Sequence, residues 1–263
     1  MSGSQFASQF AGQTVVVTGG TRGLGRAIAR DFIQHGASVI ALYHGNEEAA
    51  KALEDECAPL LGESNRLVTQ RLDVSDADEV ERFWTEIDSD PEDARGACPG
   101  GVQILVNNAG IRRDKLLAMM SPEEWHAVLD TNLTGSFLMS RWAVRHMLGQ
   151  RYGRIVMITS PAADHGFEGQ ANYSASKAGQ IGMMRSLARE VAKKKITVNC
   201  VSPGFIATDL IADLPEDVAR QHKASVPLRR FGTPEEVAYA VRCLAAPEAT
   251  YITGTTLAVA GGL

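Results

Sequence analysis

The sequence is short of cysteine, of long apolar runs and of excess positive charge, and each shortage excludes a class of protein. None of its four cysteines has the Cys-x-x-Cys spacing of a zinc site or a redox pair, and their scatter does not suggest a disulfide framework: Cys57, Cys98, Cys200 and Cys243. No stretch approaches the roughly 20 apolar residues of a membrane span. The net charge of -5 disfavours nucleic-acid binding, which requires clustered positive charge. We therefore expect an intracellular, cytoplasmic protein that engages neither a membrane nor nucleic acid.

Two further absences concern metal binding and targeting. The six histidines include no His-x-x-x-His pair, so we expect no required metal. Residues Met1 to Gly12 are rich in Ser, Gln and Phe but lack the basic segment and long apolar core of a secretory signal. We predict a flexible tail over residues 1–12 and one folded domain over residues 13–263.

Apolar runs alternate with helical patterns along the rest of the chain. Each run is typical of a parallel strand buried on both faces: Thr14 to Val17, Ser38 to Leu42, Arg66 to Leu72, Gln103 to Asn107, Arg154 to Thr159, Ile196 to Val201 and Thr256 to Val259. The segments Ser121 to Glu124 and Thr233 to Glu236 match a capping box with proline at the first helical position. This alternation predicts a single-domain α/β fold: a Rossmann-type, doubly wound parallel sheet of about seven strands with helices on both faces.

The segment from Thr18 to Gly25 is a glycine-rich turn between the first predicted strand and a helix. Glycines let the backbone approach a pyrophosphate closely, and the helix N-terminus presents unpaired amides to it. The spacing of Gly19, Gly23 and Gly25 is looser than G-x-G-x-x-G, and no Gly-Lys-Ser/Thr follows, which disfavours a nucleoside-triphosphate loop. The turn predicts a dinucleotide site; the alternative is a tight strand-to-helix connection.

The end of the second strand indicates which dinucleotide is bound. An NAD site usually has an acidic residue about 20 residues after the glycines, to bind the ribose 2'-hydroxyl. Here Tyr43 is followed by His44, and no carboxylate occurs before Glu47. A 2'-phosphate would meet Arg22 in the turn and His44, which are positive or neutral groups, and no carboxylate that repels it. This favours NADPH. The alternative is that Arg22 and His44 are ordinary solvated residues.

Tyr173 and Lys177 are four residues apart in a predicted helix, Ala171 to Ala192, so that their side chains share one face. A neighbouring cation favours the phenolate and lowers the pKa of a tyrosine, so Tyr173 could donate a proton to a carbonyl oxygen. Ser160, at the end of a predicted strand, could hold the same oxygen by a hydrogen bond. A half-buried tyrosine and a solvated lysine are the alternative for an isolated pair.

Taken together, these motifs resemble the short-chain dehydrogenase/reductase family, and within it the 3-oxoacyl-acyl-carrier-protein reductases. The resemblance covers about Gln13 to Leu263. It rests on motifs that follow the family's order: Thr18 to Gly25, Asp73 in Leu72-Asp73-Val74, Asn107 to Gly110, Asn132, Ser160, Tyr173 with Lys177, and Pro203-Gly204 with Thr208.

The resemblance implies a role for each of these positions. Tyr173 would be the general acid, Ser160 would position the carbonyl, Lys177 would hold the nicotinamide ribose, and Asn132 would anchor a water that relays protons to Lys177. The implied cofactor contacts are Gly19, Thr21, Arg22, Gly23, Leu24 and Gly25 in the turn, His44, Asp73, Val74, Asn108, Ala109 and Gly110 toward the adenosine, Tyr173 and Lys177 at the nicotinamide end, and Pro203, Gly204, Ile206 and Thr208 at the carboxamide. Asparagine disfavours helix interiors, so Asn132 within Pro122 to Leu148 also predicts a local kink or a function.

The implied reaction is NADPH-dependent reduction of a 3-oxoacyl thioester in fatty-acid or polyketide-type biosynthesis. Arg151 and Lys194 match the family's docking positions for an acidic acyl carrier protein, although lysines here also complement a helix C-terminus. Another alcohol and ketone pair, or a non-catalytic NADP-binding protein, are the alternatives. Pro161 and the segment Ala162 to Gly169 depart from a housekeeping enzyme of fatty-acid synthesis, so the acyl chain stays open.

The resemblance also bears on two segments and on assembly. Residues 205–231 would form a mobile lid over the substrate, the alternative being ordinary surface helices. We expect residues 88–101 to form a surface insertion without a catalytic role. Relatives commonly form homotetramers through the helices near residues 121–148 and 171–192 and through the C-terminal segment, and we expect the same of this chain.

Overall fold

The computed structural model describes residues 9–89, 101–208 and 216–263. Its centre is a seven-stranded parallel sheet with the order β3-β2-β1-β4-β5-β6-β7. The strands are β1 Thr14–Thr18, β2 Ser38–Tyr43, β3 Leu67–Arg71, β4 Ile104–Asn107, β5 Gly153–Ile158, β6 Ile196–Pro203 and β7 Thr256–Val259. All seven predicted strands and the predicted single-domain, doubly wound sheet are thereby confirmed. Most of the predicted insertion, and residues 209–215 of the predicted lid, lie outside the described residues.

Helices lie on both faces of this sheet. They are α1 Gly23–Gln34, α2 Glu47–Cys57, α3 Ala77–Ser89, α4 Pro122–Leu129, α5 Gly135–Gln150, α6 Ala162–His165, α7 Ala171–Val191, α8 Glu216–Ser225 and α9 Pro234–Ala245. Both capping boxes are present, since Ser121 and Thr233 accept from the backbones of Glu124 and Glu236, whose side chains accept in return. Within the described ranges, no helix has both the length and the apolarity to cross a membrane.

Two apolar cores fill the space between the sheet and the helices. Strand residues of one parity, such as Val16 and Leu105, pack against α3, α5 and α7. Their neighbours of the other parity, such as Val15 and Val17, pack against α1 and α9. Because successive strand side chains point to opposite faces, a parallel sheet covered on both sides needs the unbroken apolar runs that this sequence has.

The outer strands β3 and β7 differ from the prediction that every strand is buried on both faces. Residues of β3 are half-buried, and Arg71 at its end is exposed. In β7, Leu257 retains 39% of its accessible surface. Both are edge strands with a single neighbour in the sheet, so one side of each meets solvent.

Strand order reverses between β1 and β4, which are paired neighbours in the sheet. Connections from these two strands leave in opposite directions, so their carboxyl ends open into a crevice. In open α/β sheets ligands bind at such a switch point. The glycine-rich turn follows β1 directly and Asn108 to Gly110 follow β4, so the fold brings these two predicted motifs together.

Candidate active site

Side chains of Thr18 and Asn108 tie the ends of β1 and β4 together. The Thr18 hydroxyl accepts from the backbone amides of Asn108 and Ala109, each at 2.9 Å. In return, the Asn108 side-chain amide donates to the carbonyls of Thr18 and Gly19, each at 3.0 Å. These four hydrogen bonds fix the two walls of the crevice relative to each other.

The turn after β1 has the shape of an anion cradle. A Cβ on Gly25 would lie 2.0 Å from the Gly19 carbonyl oxygen, so only glycine lets α1 begin this close to the strand. In contrast, a Cβ on Gly23 would meet nothing within 4 Å, and Gly23 has φ of +53°. Arg22 precedes α1 in an extended conformation with no side-chain cap, and the first turn contains no acidic residue. The amides of α1 are therefore free to bind a pyrophosphate, and the residues present fit a dinucleotide.

At the adenosine side, the structure brings together two residues that the sequence placed separately. His44 Nδ1 lies 3.4 Å from Asp73 Oδ2, and the His44 side chain retains 70% exposure. Burial raises the pKa of Asp73, but hydrogen bonds from Ser75 and the charge of His44 outweigh it, so the pKa lies below its usual value. Val74 is buried, and its side chain packs against Gly135.

The remaining predicted turn residues differ in exposure. Thr21 is buried, Leu24 is half-buried and Arg22 is exposed.

Asn132 lies in a π-helical turn, Asp130–Thr134, between α4 and α5, which confirms the predicted local departure from a regular helix. It is fully buried. Its side-chain oxygen accepts from the Ile111 amide at 2.8 Å, while its amide donates to Ile111 O and Ser176 Oγ, both at 3.1 Å. Asn132 thus anchors the loop after β4 to α7, the helix that contains Tyr173 and Lys177.

Lys177 is buried, with 3% of its surface accessible. Its ammonium group donates to the Ile158 carbonyl at 2.7 Å and to Gln180 Oε1 at 3.2 Å. Burial lowers the pKa of Lys177 to about 8. A Cβ on Gly110 would lie 3.6 Å from Nζ, so the amine stands beside the end of β4 and therefore at the crevice.

The pKa of Tyr173 differs from the expectation that Lys177 lowers it. Burial raises the pKa of Tyr173, and the groups that act in the opposite direction are a hydrogen bond with Ser160 and the positive charge of Arg112. Lys177 Nζ lies 5.6 Å from the centre of the tyrosine ring. Ser160 Oγ also accepts from the Ala162 amide at 3.2 Å, which fixes the hydroxyl at the end of β5 next to the phenol.

The carboxamide motif follows β6. Gly204 donates to the Val259 carbonyl at 3.0 Å, and a Cβ there would lie 2.9 Å from Ala260 Cα, so the chain passes close to the end of β7. Ile206 is buried and forms a bridge with Gly232. Pro203 ends β6, and Thr208 is half-buried at the last described residue before a gap.

The two predicted docking cations lie at the other end of the sheet from Tyr173. Arg151 and Lys194 are exposed. Gly153 and Ile196 form the first pair of the β5–β6 ladder, and the two cations lie two residues before them in the chain. Arg154, by contrast, is buried and donates to backbone carbonyls such as those of Ala246 and Pro247, so it adds no surface charge.

The residues of the site that were not predicted from the sequence include Arg112, Ser136 and Gln180. Gln180 and Ser136 are buried polar residues, and each follows a predicted site residue by one helical turn. That spacing is the signal that could have identified them. Arg112 lies in a loop, and nothing in its local sequence indicates that it faces Tyr173.

A doubly wound sheet with a glycine-rich cradle at its switch point defines the class of dinucleotide-binding α/β proteins. A family model described as enoyl-(acyl carrier protein) reductase matches residues 6–263. Relatives described as 3-oxoacyl-acyl-carrier-protein reductase FabG occur in Aquifex aeolicus and Vibrio harveyi, each 43% identical over 96% of this chain and 97% of the relative. The FabG of Escherichia coli is 44% identical over 97% of this chain and 98% of its own. The chain therefore belongs to the short-chain dehydrogenase/reductase family and is an oxidoreductase that uses a nicotinamide cofactor.

Proposed function

We propose that this protein reduces a 3-oxoacyl thioester, presented by an acyl carrier protein, to the 3-hydroxyacyl product with NADPH. The observation that carries this proposal is the clustering of Tyr173, Ser160 and Lys177 beside a dinucleotide cradle. It agrees with the activity named for the FabG relatives, which match nearly the whole chain.

The cradle and the carboxyl ends of the strands hold the cofactor in this proposal. The amides of the turn from Gly19 to Gly25 bind the pyrophosphate, Asn108 to Gly110 lie along the adenosine, and Pro203 to Thr208 hold the carboxamide. Bound nicotinamide supplies the hydride. The protein's contribution is orientation and the proton that the ketone oxygen must receive.

The preference for NADPH rests on charge near the end of β2. His44 is exposed there, Arg22 is exposed in the adjacent turn, and no carboxylate of the strand end faces a 2'-phosphate. Asp73 is the nearest acid, and the imidazole of His44 lies 3.4 Å from its carboxylate.

Proton delivery belongs to Tyr173. The Ser160 hydroxyl holds the substrate oxygen next to the phenol, and Arg112 favours the departure of the proton by stabilising the phenolate. Lys177, held by Ile158 O and Gln180 Oε1, has one further N–H to direct toward the ribose.

The description of the matching family model names a different reaction, reduction of an enoyl group. Reduction of a ketone develops negative charge on oxygen, whereas reduction of an enoyl thioester requires a proton at carbon. Two hydroxyls hydrogen-bonded to each other, Ser160 and Tyr173, suit a ketone oxygen. We therefore favour the 3-oxoacyl substrate, and a comparison of acetoacetyl and crotonyl thioesters tests the choice.

We propose that carrier docking by Arg151 and Lys194 involves a second copy of the chain. The six residues of β5 alone separate this basic edge from Ser160 by about 20 Å. A two-fold pair that packs its helices antiparallel would bring the basic edge of one copy toward the crevice of the other. We propose a cytoplasmic homo-oligomer, a tetramer as in relatives, in which one copy docks the carrier whose acyl group another copy reduces.

A spectrophotometric assay tests the activity directly. Wild-type protein should oxidise NADPH on addition of an acetoacetyl thioester, and Tyr173→Phe should not. Activity with crotonyl thioester alone would favour the enoyl reaction. Turnover of small ketones without thioesters would favour another alcohol and ketone pair, and NADPH binding without turnover would favour a non-catalytic role.

A further inference from the structure

Gln180 is a fully buried glutamine that joins Lys177 to Asn132. Its side-chain oxygen accepts from Lys177 Nζ at 3.2 Å. Its side-chain nitrogen donates to the Asn132 carbonyl at 2.9 Å and to Ser136 Oγ at 2.7 Å. A single side chain therefore spans the gap between the two residues.

The orientation of this amide is determined by its partners. The Ser136 hydroxyl donates its proton to the Asn132 carbonyl at 2.6 Å, so toward Gln180 it can only accept. Both groups at this end are therefore acceptors and require the NH2 of Gln180. Reversing the amide would place its oxygen against the Asn132 oxygen and its NH2 against the ammonium group of Lys177. Gln180 consequently presents a carbonyl, and no donor, to Lys177.

The same contacts occupy the Asn132 carbonyl. A carbonyl oxygen has two lone pairs, and here Ser136 Oγ and Gln180 Nε2 each use one. The resemblance implied a water bound to Asn132 that relays protons to Lys177. In this chain a side-chain amide makes that connection, and an amide holds its neighbours in place but does not pass protons as water does.

We propose that Gln180 is a positioning residue for Lys177: it bridges Lys177 and Asn132 directly, holds the lysine as an ammonium ion, and replaces a water-mediated proton path at Asn132. This inference rests on the proposed function, since it assigns Lys177 to the reaction. Lys177 then exchanges its proton on the side that faces Tyr173 and the crevice.

The first test uses protein without cofactor or substrate and needs no activity. Unfolding by urea is measured for wild type, Gln180→Met, Lys177→Met and the double variant, at pH 7 and at pH 9.5. Methionine keeps the length of both side chains without their hydrogen bonds. We expect the two substitutions to be non-additive at pH 7, where Lys177 is charged, and closer to additive at pH 9.5. Additive changes at both pH values would overturn the bridge. If Gln180→Met does not fold, Gln180→Leu replaces it.

The second test is the pH profile of kcat/KM for ketone reduction. A carbonyl that accepts from an ammonium group favours the charged form, so its loss in Gln180→Met should move the falling alkaline limb down by about one pH unit. Ser136→Ala is the matched control, since it removes a contact from the other end of the same amide and leaves Lys177 bonded. An unchanged limb in Gln180→Met, or an equal shift in Ser136→Ala, would mean that Gln180 only packs.

The two tests separate failure of this inference from failure of the proposed function. A wild-type protein that reduces no 3-oxoacyl thioester would refute the function, and the unfolding cycle would still decide whether Gln180 holds Lys177.

Discussion

Lys177 donates from Nζ to the backbone carbonyl of Ile158 at 2.7 Å, which binds helix α7 to the carboxyl end of β5 inside the protein. Ile158 is two residues before Ser160, so one contact sets the distance between the strand that carries the serine and the helix that carries Tyr173. A charged amine is buried to achieve this. Burial of this charge lowers the free energy of unfolding, and the pH dependence of that free energy should show by how much.

Lys177→Met should stabilise the cofactor-free protein at neutral pH. The ordinary pKa of 10.5 applies to the unfolded chain, and burial lowers the pKa of Lys177 to about 8 in the folded state. Below pH 8 the lysine is charged in both states and the cost of its burial is largest. Between pH 8 and 10.5 the folded protein has already released the proton while the unfolded chain retains it, so wild-type stability rises with pH.

The advantage of Lys177→Met should therefore be up to about 3 kcal/mol greater at pH 7 than at pH 10.5. Urea unfolding across this range measures it. Lys193→Met, at an exposed lysine, is the control and should show no such trend. A constant difference between Lys177→Met and wild type would contradict a charged, buried amine.

Substitutions at the two hydroxyls should reduce turnover and leave cofactor binding intact. Tyr173→Phe removes the proton donor, and we expect kcat to fall by about 10³-fold or more, in line with the loss of general acid catalysis. Ser160→Ala removes one of two groups at the ketone oxygen and should lower kcat by roughly 10²-fold. Fluorescence titration with NADPH should give wild-type affinity for both. Retained turnover in Tyr173→Phe would assign the proton to another group.

Arg112→Gln should weaken Tyr173 as an acid. The positive charge of Arg112 lowers the pKa of Tyr173, and Asp114, which pairs with Arg112, raises it. Removal of the guanidinium leaves Asp114 uncompensated, so the pKa of Tyr173 rises on both accounts. The tyrosinate absorbance that Tyr173→Phe removes should therefore appear at higher pH in Arg112→Gln than in the wild-type protein. Arg113→Gln, at the neighbouring exposed arginine, serves as control; an equal shift there would point to a general surface-charge effect.

Arg112 and Gln180, which were not predicted, illustrate what sequence patterns can and cannot predict. Strand positions and both capping boxes follow from local periodicity and local hydrogen bonding, and all were predicted. The half-exposure of β3 and β7 depends on which strands lie at the edges, which no local pattern states. Gln180 was missed for a related reason: its partner, the Asn132 carbonyl, is 48 residues away and becomes available only because of the π-helical turn. Asn132 itself was found because asparagine is unusual inside a helix.

His44→Asp should reduce the preference for NADPH. It would place a carboxylate at the end of β2, beside Asp73, where it would repel a 2'-phosphate and could accept from a 2'-hydroxyl. We expect the ratio of kcat/KM with NADPH to that with NADH to fall by at least about tenfold, since a like-charge contact of a few ångströms costs more than 1.4 kcal/mol. His44→Ala separates the loss of the histidine from the new charge. An unchanged ratio would place the 2'-phosphate elsewhere.

Complementation between two defective variants tests whether one copy docks the carrier for another. Arg151→Glu with Lys194→Glu should raise KM for a carrier-linked substrate by roughly tenfold and leave a small thioester unaffected, because the basic edge attracts the acidic carrier. Co-expressed with Tyr173→Phe subunits, which keep the basic edge but lack the proton donor, these subunits should regain carrier-linked activity. Random pairing in a symmetric assembly makes half of the pairs mixed, each with one complete site, so recovery should approach about a quarter of wild type. If each subunit docks its own carrier, every subunit in the mixture lacks one requirement and no activity with the wild-type KM for the carrier-linked substrate returns.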